Sequence, residues 1–285
     1  MSGGVYAPLS PREPFTRLLT CITESNARFV LVHHFTHDRI ICSCRLIDIN
    51  QIISRTQAHD DTLWCIDDVH VTPDYISHIV FTSGSTGTPK AVRLRHRNFV
   101  SYIRSYIIQP TDVILNHTSV TFDAHFEEIA GTLMMGGQLV LLSPHGNLDM
   151  SIFCSTISRH QVTYLGGVPS FFLMLTEFMA IVHEKNCLKT LQCISSGGES
   201  LLSTVAQDLL SCVNEHCRFY NYYGPAECTE GAIEYRVTGV EGAQKYVPIG
   251  RPMPNVHVYL LDEYGQPVIP GMQQGEIVIG GEFFL

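Results

Sequence analysis

The sequence predicts an α/β fold built on a parallel sheet, followed by a shorter β-rich portion, and three observations carry that expectation. Stretches of helical period alternate with short β-branched runs. Strand, loop and helix recur in that order, as the crossovers between parallel strands require. After Gly231 the pattern changes to short strands separated by Gly and Pro turns.

Taken in order, residues 13–25 have helical spacing and 29–32 read as a strand. A second apolar strand at 79–82 precedes a helix over about 97–106. Strands follow at 138–142, 162–165 and 192–195, with helices near 151–160 and, led by Pro169, up to about 183. Beyond Gly231, residues 246–250, 256–261, 266–269 and 275–279 read as strands. The division is an α/β core over 1–230 and a β-rich portion over 231–285.

Composition narrows the function classes. At 285 residues and 45% apolar content the chain can bury a large core. Its 18 Lys and Arg against 27 Asp and Glu give a formal charge of −9, which argues against nucleic acid or an anionic membrane as partner. The longest apolar run, around 171–182, is interrupted by Thr176 and Glu177 and is too short to span a bilayer. The ten cysteines are scattered and no secretory leader opens the chain, which reads as reduced thiols in a cytoplasmic protein. Cys42, Cys44, His33, His34 and His37 match no standard zinc spacing.

The most informative stretch is residues 79–90, where an apolar strand runs into small hydroxylic residues, two glycines and a lysine. Thr82, Ser83, Gly84, Ser85, Thr86, Gly87 and Lys90 supply backbone N–H groups, hydroxyls and a point charge suited to a polyphosphate. Pro89 and Ala91 flank the lysine, which breaks the Walker pattern. Ser83 stands where a nucleophile elbow needs its first glycine. The run Arg93, Arg95, His96 and Arg97 is either part of an anion site or a solvated helix start.

The loop resembles the signature of AMP-forming adenylate synthetases, and four further segments bring the resemblance close to the adenylation domains of nonribosomal peptide synthetases. Residues 3–11 resemble the family's Gly-Gly-x-Tyr-x-Pro-Leu-x-Pro element, 121–124 its Phe-Asp substrate element, 221–227 its nucleotide element and 275–281 the start of a later one. The resemblance implies the αβα layers of the large adenylate-forming subdomain, then a distorted β-barrel portion. It also implies ATP and Mg²⁺, an amino acid substrate, and a peptidyl carrier protein bearing phosphopantetheine.

By the same matches Asp123 pairs with the substrate α-ammonium, although it also stands where it can cap a helix from Ala124. Asn221, Tyr222 and Tyr223, with Gly197 and Gly198 opposite, are implied at the adenine, and Glu227 at Mg²⁺, a hard cation suited to carboxylate and phosphate oxygens. Ala226 replaces the family's threonine, which removes a hydrogen bond of about 1.5–3 kcal/mol. The pocket maps to Asp123, Ala124, Glu127, Gly166, Ile194, Ser196, Tyr222, Glu230 and Gly231. Glu127 and Glu230 then favour a basic side chain, unless Glu127 and Glu128 lie on a solvated helix face.

The family's Tyr-Arg-Thr-Gly-Asp element and its catalytic lysine fall outside the 285 residues, as does its N-terminal segment. No catalytic residue is therefore assigned, and the expectation is weak adenylation by this chain alone. Two alternatives remain: a noncatalytic binding remnant, or a ligase passing a fatty or aryl acid to coenzyme A. The second fits Asp123 poorly, because such acids carry no α-ammonium.

Overall fold

The computed structural model describes residues 3–56, 69–82, 88–143, 146–184, 186–239, 244–269, 271 and 273–281. The chain divides into two compact units, residues 1–97 and 98–285.

In the first unit, α1 (Phe15–Glu24) buries Leu18, Cys21 and Ile22, one face of a helix at spacings of three and four. Pro14 precedes it with φ −57°, a backbone angle already suited to helix entry. β1 (Phe29–Val32) pairs in parallel with β2 (Arg45–Asp48), and α2 (Ile49–Thr56) follows. β3 (Ile76–Thr82) and β4 (Lys90–Arg95) form an antiparallel pair around Val80, Val92 and Leu94. Tyr6 docks on β3, donating its N–H to Ser77 O (3.0 Å) and accepting from Ile79 N (2.8 Å). The cationic run is held within this unit. Arg93 donates to Glu24 O at 3.0 Å and Arg97 lies 3.0 Å from Asp74. α3 (His96–Ser105) begins at the division, and its buried Phe99, Tyr102 and Ile103 belong to the second unit.

The second unit is a mixed seven-stranded sheet between helices. β5 (Val113–Asn116) is followed by a helical run comprising α4 (Ala124–Phe126), a π-turn at Glu127–Gly131 and α5 (Thr132–Met135). Then come β6 (Gln138–Leu141), α6 (Met150–His160), β7 (Tyr164–Gly167), α7 (Pro169–Ile181), β8 (Cys193–Ser196) and α8 (Ser203–Cys212). β9 (Arg218–Tyr223), β10 (Ile233–Arg236), β11 (Arg251–Pro252), β12 (Val256–Leu261) and β13 (Glu276–Gly281) complete it. The order is β11-β10-β9-β8-β7-β5-β6, parallel from β6 to β9 and antiparallel beyond.

Two cores sandwich this sheet. Phe153 and Ile157 of α6, Phe172 and Leu175 of α7 and Val205 and Leu209 of α8 pack against Leu165, Ile194 and Phe219. On the other face α3 and the helical run meet Tyr164, Cys193 and Tyr222. The αβα layering is the one expected. Local signals begin and end the helices: Asp149 accepts from Ser151 N and Ile152 N at the start of α6, and Gln161 closes it at φ 52°.

The chain beyond Gly231 is distributed in two ways. β10 and β11 extend the main sheet, whereas β12 and β13 pair separately as an antiparallel ribbon. Residues 246–250 and 266–269, expected as strands, make only the single bridges Leu202↔Tyr246 and Leu261↔Pro267. Pro248 and Pro267 have no N–H for a ladder, and Gly250 turns at φ 98° against the Glu234 carbonyl, where a Cβ would clash.

Phe153 is fully buried between the sheet and α7. Phe153→Ala should lower stability by about 3–5 kcal/mol in denaturant unfolding of the second unit.

Candidate active site

Five parallel strands end on the same side of the sheet, and the candidate residues of the second unit gather at those carboxyl ends, where open α/β sheets bind ligands. β7 ends in Gly166 and Gly167, β8 in Ser195 and Ser196 followed by Gly197 and Gly198, and β9 in Tyr222 and Tyr223.

The helical run opens at Asp123, whose carboxylate accepts from the adjacent Ala124 N (3.0 Å) and, among the described residues, from no N–H of the next turn, a partial cap. The π-turn then widens the helix at Glu127 and Glu128. Both are buried, 6% and 3% exposed, so the solvated-face alternative is overturned. Glu128 accepts from Asn116 Nδ2 (2.7 Å), His117 N (3.0 Å) and Thr118 Oγ1 (2.6 Å), which braces the loop after β5. His117 in turn donates from Nε2 to Gly166 O at 2.8 Å.

Glu127 points the other way, into a group of tyrosines. Its Oε2 accepts from Tyr102 (2.9 Å) and its Oε1 from Tyr164 (3.1 Å). The Tyr164 hydroxyl also bonds Tyr106 (2.7 Å) and Ser195 Oγ (2.6 Å), which fills its one donor and two acceptor sites. Burial raises the Glu127 carboxyl above the usual carboxylate range, and the bonds from Glu230, Tyr102 and Tyr164 offset part of that rise.

Glu230 reaches Glu127 from the loop after β9. Thr229 and Glu230 both hold left-handed backbone, φ 59° and 74°, a conformation that costs non-glycine residues about 1–2 kcal/mol each. Burial, and then the charges of Glu127 and Asp123, push the Glu230 carboxyl well above its ordinary value. Asp123 is raised as well, first by burial and also by Glu227, against the Ala124 N–H bond that lowers it. Among the described residues no salt bridge reaches Asp123, Glu127 or Glu230.

The remaining candidates sort by strand face. Gly166 faces the tyrosines; a Cβ there would sit 3.1 Å from Ser195 Oγ and 3.4 Å from the Tyr164 hydroxyl. Gly231 lies beside Tyr102 and Tyr222, and Ala124 opens the helical run. Ile194 instead packs in the opposite core beside Leu165 and Phe219, away from Glu127. Ser195, which the sequence reading passed over, occupies the tyrosine face, and Ser196 is buried with its hydroxyl unpaired among the described residues. Tyr102, Tyr106 and Tyr164 were also passed over; the pair Tyr102 and Tyr106, one helical turn apart, was the available signal.

Asn221 is anchored by its amide N–H to Pro248 O (2.9 Å), while its Oδ1 is left unpaired. Gly197 approaches the Tyr222 backbone so closely that a Cβ would lie 3.2 Å from its carbonyl, and Gly198 needs its φ of 81°. Tyr223 and Glu227 are exposed, the latter on a 3₁₀ turn. In the first unit Thr82 ends β3 and Lys90, exposed, begins β4; Ser83, Gly84, Ser85, Thr86 and Gly87 lie outside the described residues. No helix among the described residues is long and apolar enough to cross a membrane.

The sequence model of a family described as AMP-binding enzyme matches residues 1–284. Polyketide synthase PksN of Bacillus subtilis is 29% identical over 98% of this chain and 5% of its own length. Zwittermicin A synthase ZmaJ of Bacillus cereus is 29% identical over 98% of this chain and 54% of its own. The chain thus spans from a twentieth to about half the length of these curated relatives. A solved structure, the fused adenylation–PCP di-domain NpsA-ThdA of Klebsiella oxytoca, superposes with TM-score 0.82 at 20% identity, covering 98% of this chain and 54% of that one. That likeness is one of fold.

Folding raises the Glu230 carboxyl above its ordinary 4.5. A raised carboxyl contributes stability below its ordinary value and loses it as pH climbs through the raised one. Denaturant unfolding from roughly pH 5 to pH 8 should therefore show stability falling with pH, and Glu230→Gln should flatten that fall. An unchanged slope in the variant would contradict the placement of Glu230.

Proposed function

Because the chain belongs to the AMP-binding enzyme family, we propose that it activates the carboxylate of an amino acid with ATP, giving an aminoacyl adenylate that is then loaded onto the phosphopantetheine thiol of a carrier protein in nonribosomal peptide synthesis. The observation that carries this reading is Asp123, half-buried with no cation beside it among the described residues, which suits an α-ammonium group. Glu127 and Glu230 extend the same anionic surface and favour a basic side chain. A cytoplasmic setting goes with this chemistry.

In the reaction one oxygen of the amino acid carboxylate attacks the α-phosphorus of ATP, a phosphoanhydride bond breaks, and pyrophosphate leaves. The residues assigned to this chain work by position and charge. Asp123 holds the ammonium and so aims the carboxylate. Thr82, Ser83, Gly84, Ser85, Thr86, Gly87 and Lys90 hold phosphate oxygens, and Gly197, Gly198, Asn221, Tyr222 and Tyr223 frame the adenine. Gly197 leaves a flat approach that a Cβ would fill. Glu227, an exposed carboxylate, has the hard oxygen donors that suit Mg²⁺ shared with phosphate oxygens. Ser196 is assigned to the amino acid pocket at the carboxyl end of β8, and Ile194, two residues earlier on the same strand, lies in the core beneath it.

A ligase for fatty or aryl acids is the second reading, and Asp123 weighs against it, since those acids bring no positive charge to offset the buried carboxylate. Calorimetric titration with Mg-ATP should give saturable binding that Lys90→Ala and Glu227→Ala each weaken about tenfold or more. ATP–pyrophosphate exchange stimulated by amino acids, and reduced at least about a hundredfold in Asp123→Ala, should accompany it. Exchange driven by aryl or fatty acids and indifferent to Asp123→Ala would replace the first reading with the second.

A further inference from the structure

α7 is apolar almost all the way round: of its 13 residues only Ser170, Thr176 and Glu177 are polar. One face is buried, with Phe172, Leu175 and Met179 entering the core beneath the sheet. The opposite face carries Leu173, Met174, Ala180 and Ile181, with Glu177 at its centre, and it is open to solvent. Leu173 is 37%, Met174 47% and Ile181 77% exposed. A helix this apolar is ordinarily covered on every side, and a contiguous exposed apolar stripe marks a contact surface.

Beside this stripe, toward α8, opens a cavity of about 570 Å³. Glu177 and Ala180 of α7 line it with Asp208 and Cys212 of α8, and Glu184 and Lys189 join them from the segment that leads to β8. It lies where the chain returns to the amino end of β8, at the end of the sheet opposite the candidate active site. Three carboxylates here stand against one ammonium, and that ammonium, on Lys189, is held by Val213 O at 2.7 Å. His183 is the other basic group in the lining. Glu184 Oε1 caps the turn, accepting from Asn186 N (2.6 Å) and Cys187 N (3.2 Å). Among the described residues no ion pair reaches Glu177, Glu184 or Asp208.

Shape and charge together select the partner. An apolar ridge on a helix receives the ridges of a second helix, and the stripe from Leu173 to Ile181 runs about 12 Å, two to three turns of a partner. A second copy of this chain fits poorly, because a two-fold contact would set Glu177 and Asp208 against their own mates in a chain of formal charge −9. We infer that the outer face of α7 docks a basic amphipathic helix of a partner protein. Its apolar side chains cover Leu173, Met174 and Ile181, and one lysine or arginine side chain enters the cavity to meet Glu177 and Asp208. This contact is independent of the reaction proposed at the carboxyl ends of the strands.

The test uses two labelled synthetic helices about four turns long with the same leucine stripe, one with lysine and one with glutamate on the polar face, and reads binding by fluorescence anisotropy. The lysine peptide should bind saturably and at least roughly tenfold more tightly than the glutamate peptide, with affinity falling as salt is added. Ile181→Asp, Glu177→Lys and Asp208→Lys should each weaken it about tenfold or more. Glu263→Lys, the same charge change on an exposed carboxylate between β12 and β13, should leave it unchanged. All four altered side chains are exposed, and thermal melts check that the variants fold. Equal affinity for the two peptides, no binding of the lysine peptide, or equal loss in Glu263→Lys overturns the inference. So does a dimer of the protein alone in sedimentation that Ile181→Asp dissociates, which would assign the face to a second copy.

Discussion

A strand sends only every second side chain to one face of its sheet, and that alternation governs the arrangement of the second unit. β7, β8 and β9 run parallel with Leu165, Ile194 and Phe219 in register, and all three enter the core beneath α6, α7 and α8. The residues one step before, Tyr164 and Cys193, must then face α3 and the helical run. Ser195 and Gly166, one step after, share that face. A slip of one residue in any of these strands would put tyrosine hydroxyls into the apolar core and leucine into the polar cluster.

Because the sheet commits that face to polar groups, the helices over it must satisfy them. α3 contributes Tyr102, Tyr106 follows just past its end, and the π-turn swings Glu127 and Glu128 to different partners. An ordinary α-helical turn keeps residues 127 and 128 about 100° apart on one cylinder; the widened turn lets one carboxylate brace the loop after β5 while the other meets the tyrosines. The carboxyl ends of five strands, a π-turn and a left-handed loop at 229–230 converge on a surface with three carboxyls and no ion pair among the described residues. Buried carboxyls without cations are expensive to fold around.

Much of this was legible in the chain itself. Helical period and β-branched runs gave α1, α3, α6 and α7 and the strands β1, β3, β6, β7, β8, β12 and β13 to within a few residues, because each rests on local propensity and a local cap such as Asp149 or Pro169. The short motifs around Asp123, Asn221 and Glu227 were equally visible, since glycines and carboxylates at fixed spacing carry their meaning locally. The strands β2, β4, β5, β9, β10 and β11 and the helices α2 and α8 were not assigned, and 246–250 and 266–269 were assigned a ladder they do not have. Pairing depends on which backbone lies alongside, and a proline in the segment removes the donor without changing the apolar pattern around it.

By itself, then, the sequence determined the α/β class, part of the element order, the family resemblance and the identity of the charged groups. The tertiary structure alone decided which of them meet. Ile194 and Ser195 are neighbours in the chain, yet the pleat sends one into the core and the other to Tyr164. Glu127 and Glu128 look interchangeable in the sequence, yet the π-turn gives them separate surroundings, and Glu230 joins Glu127 from a distant loop. Whether a carboxyl is solvated, bonded or left with an unpaired oxygen is a property of its neighbours across the fold, which local spacing does not encode.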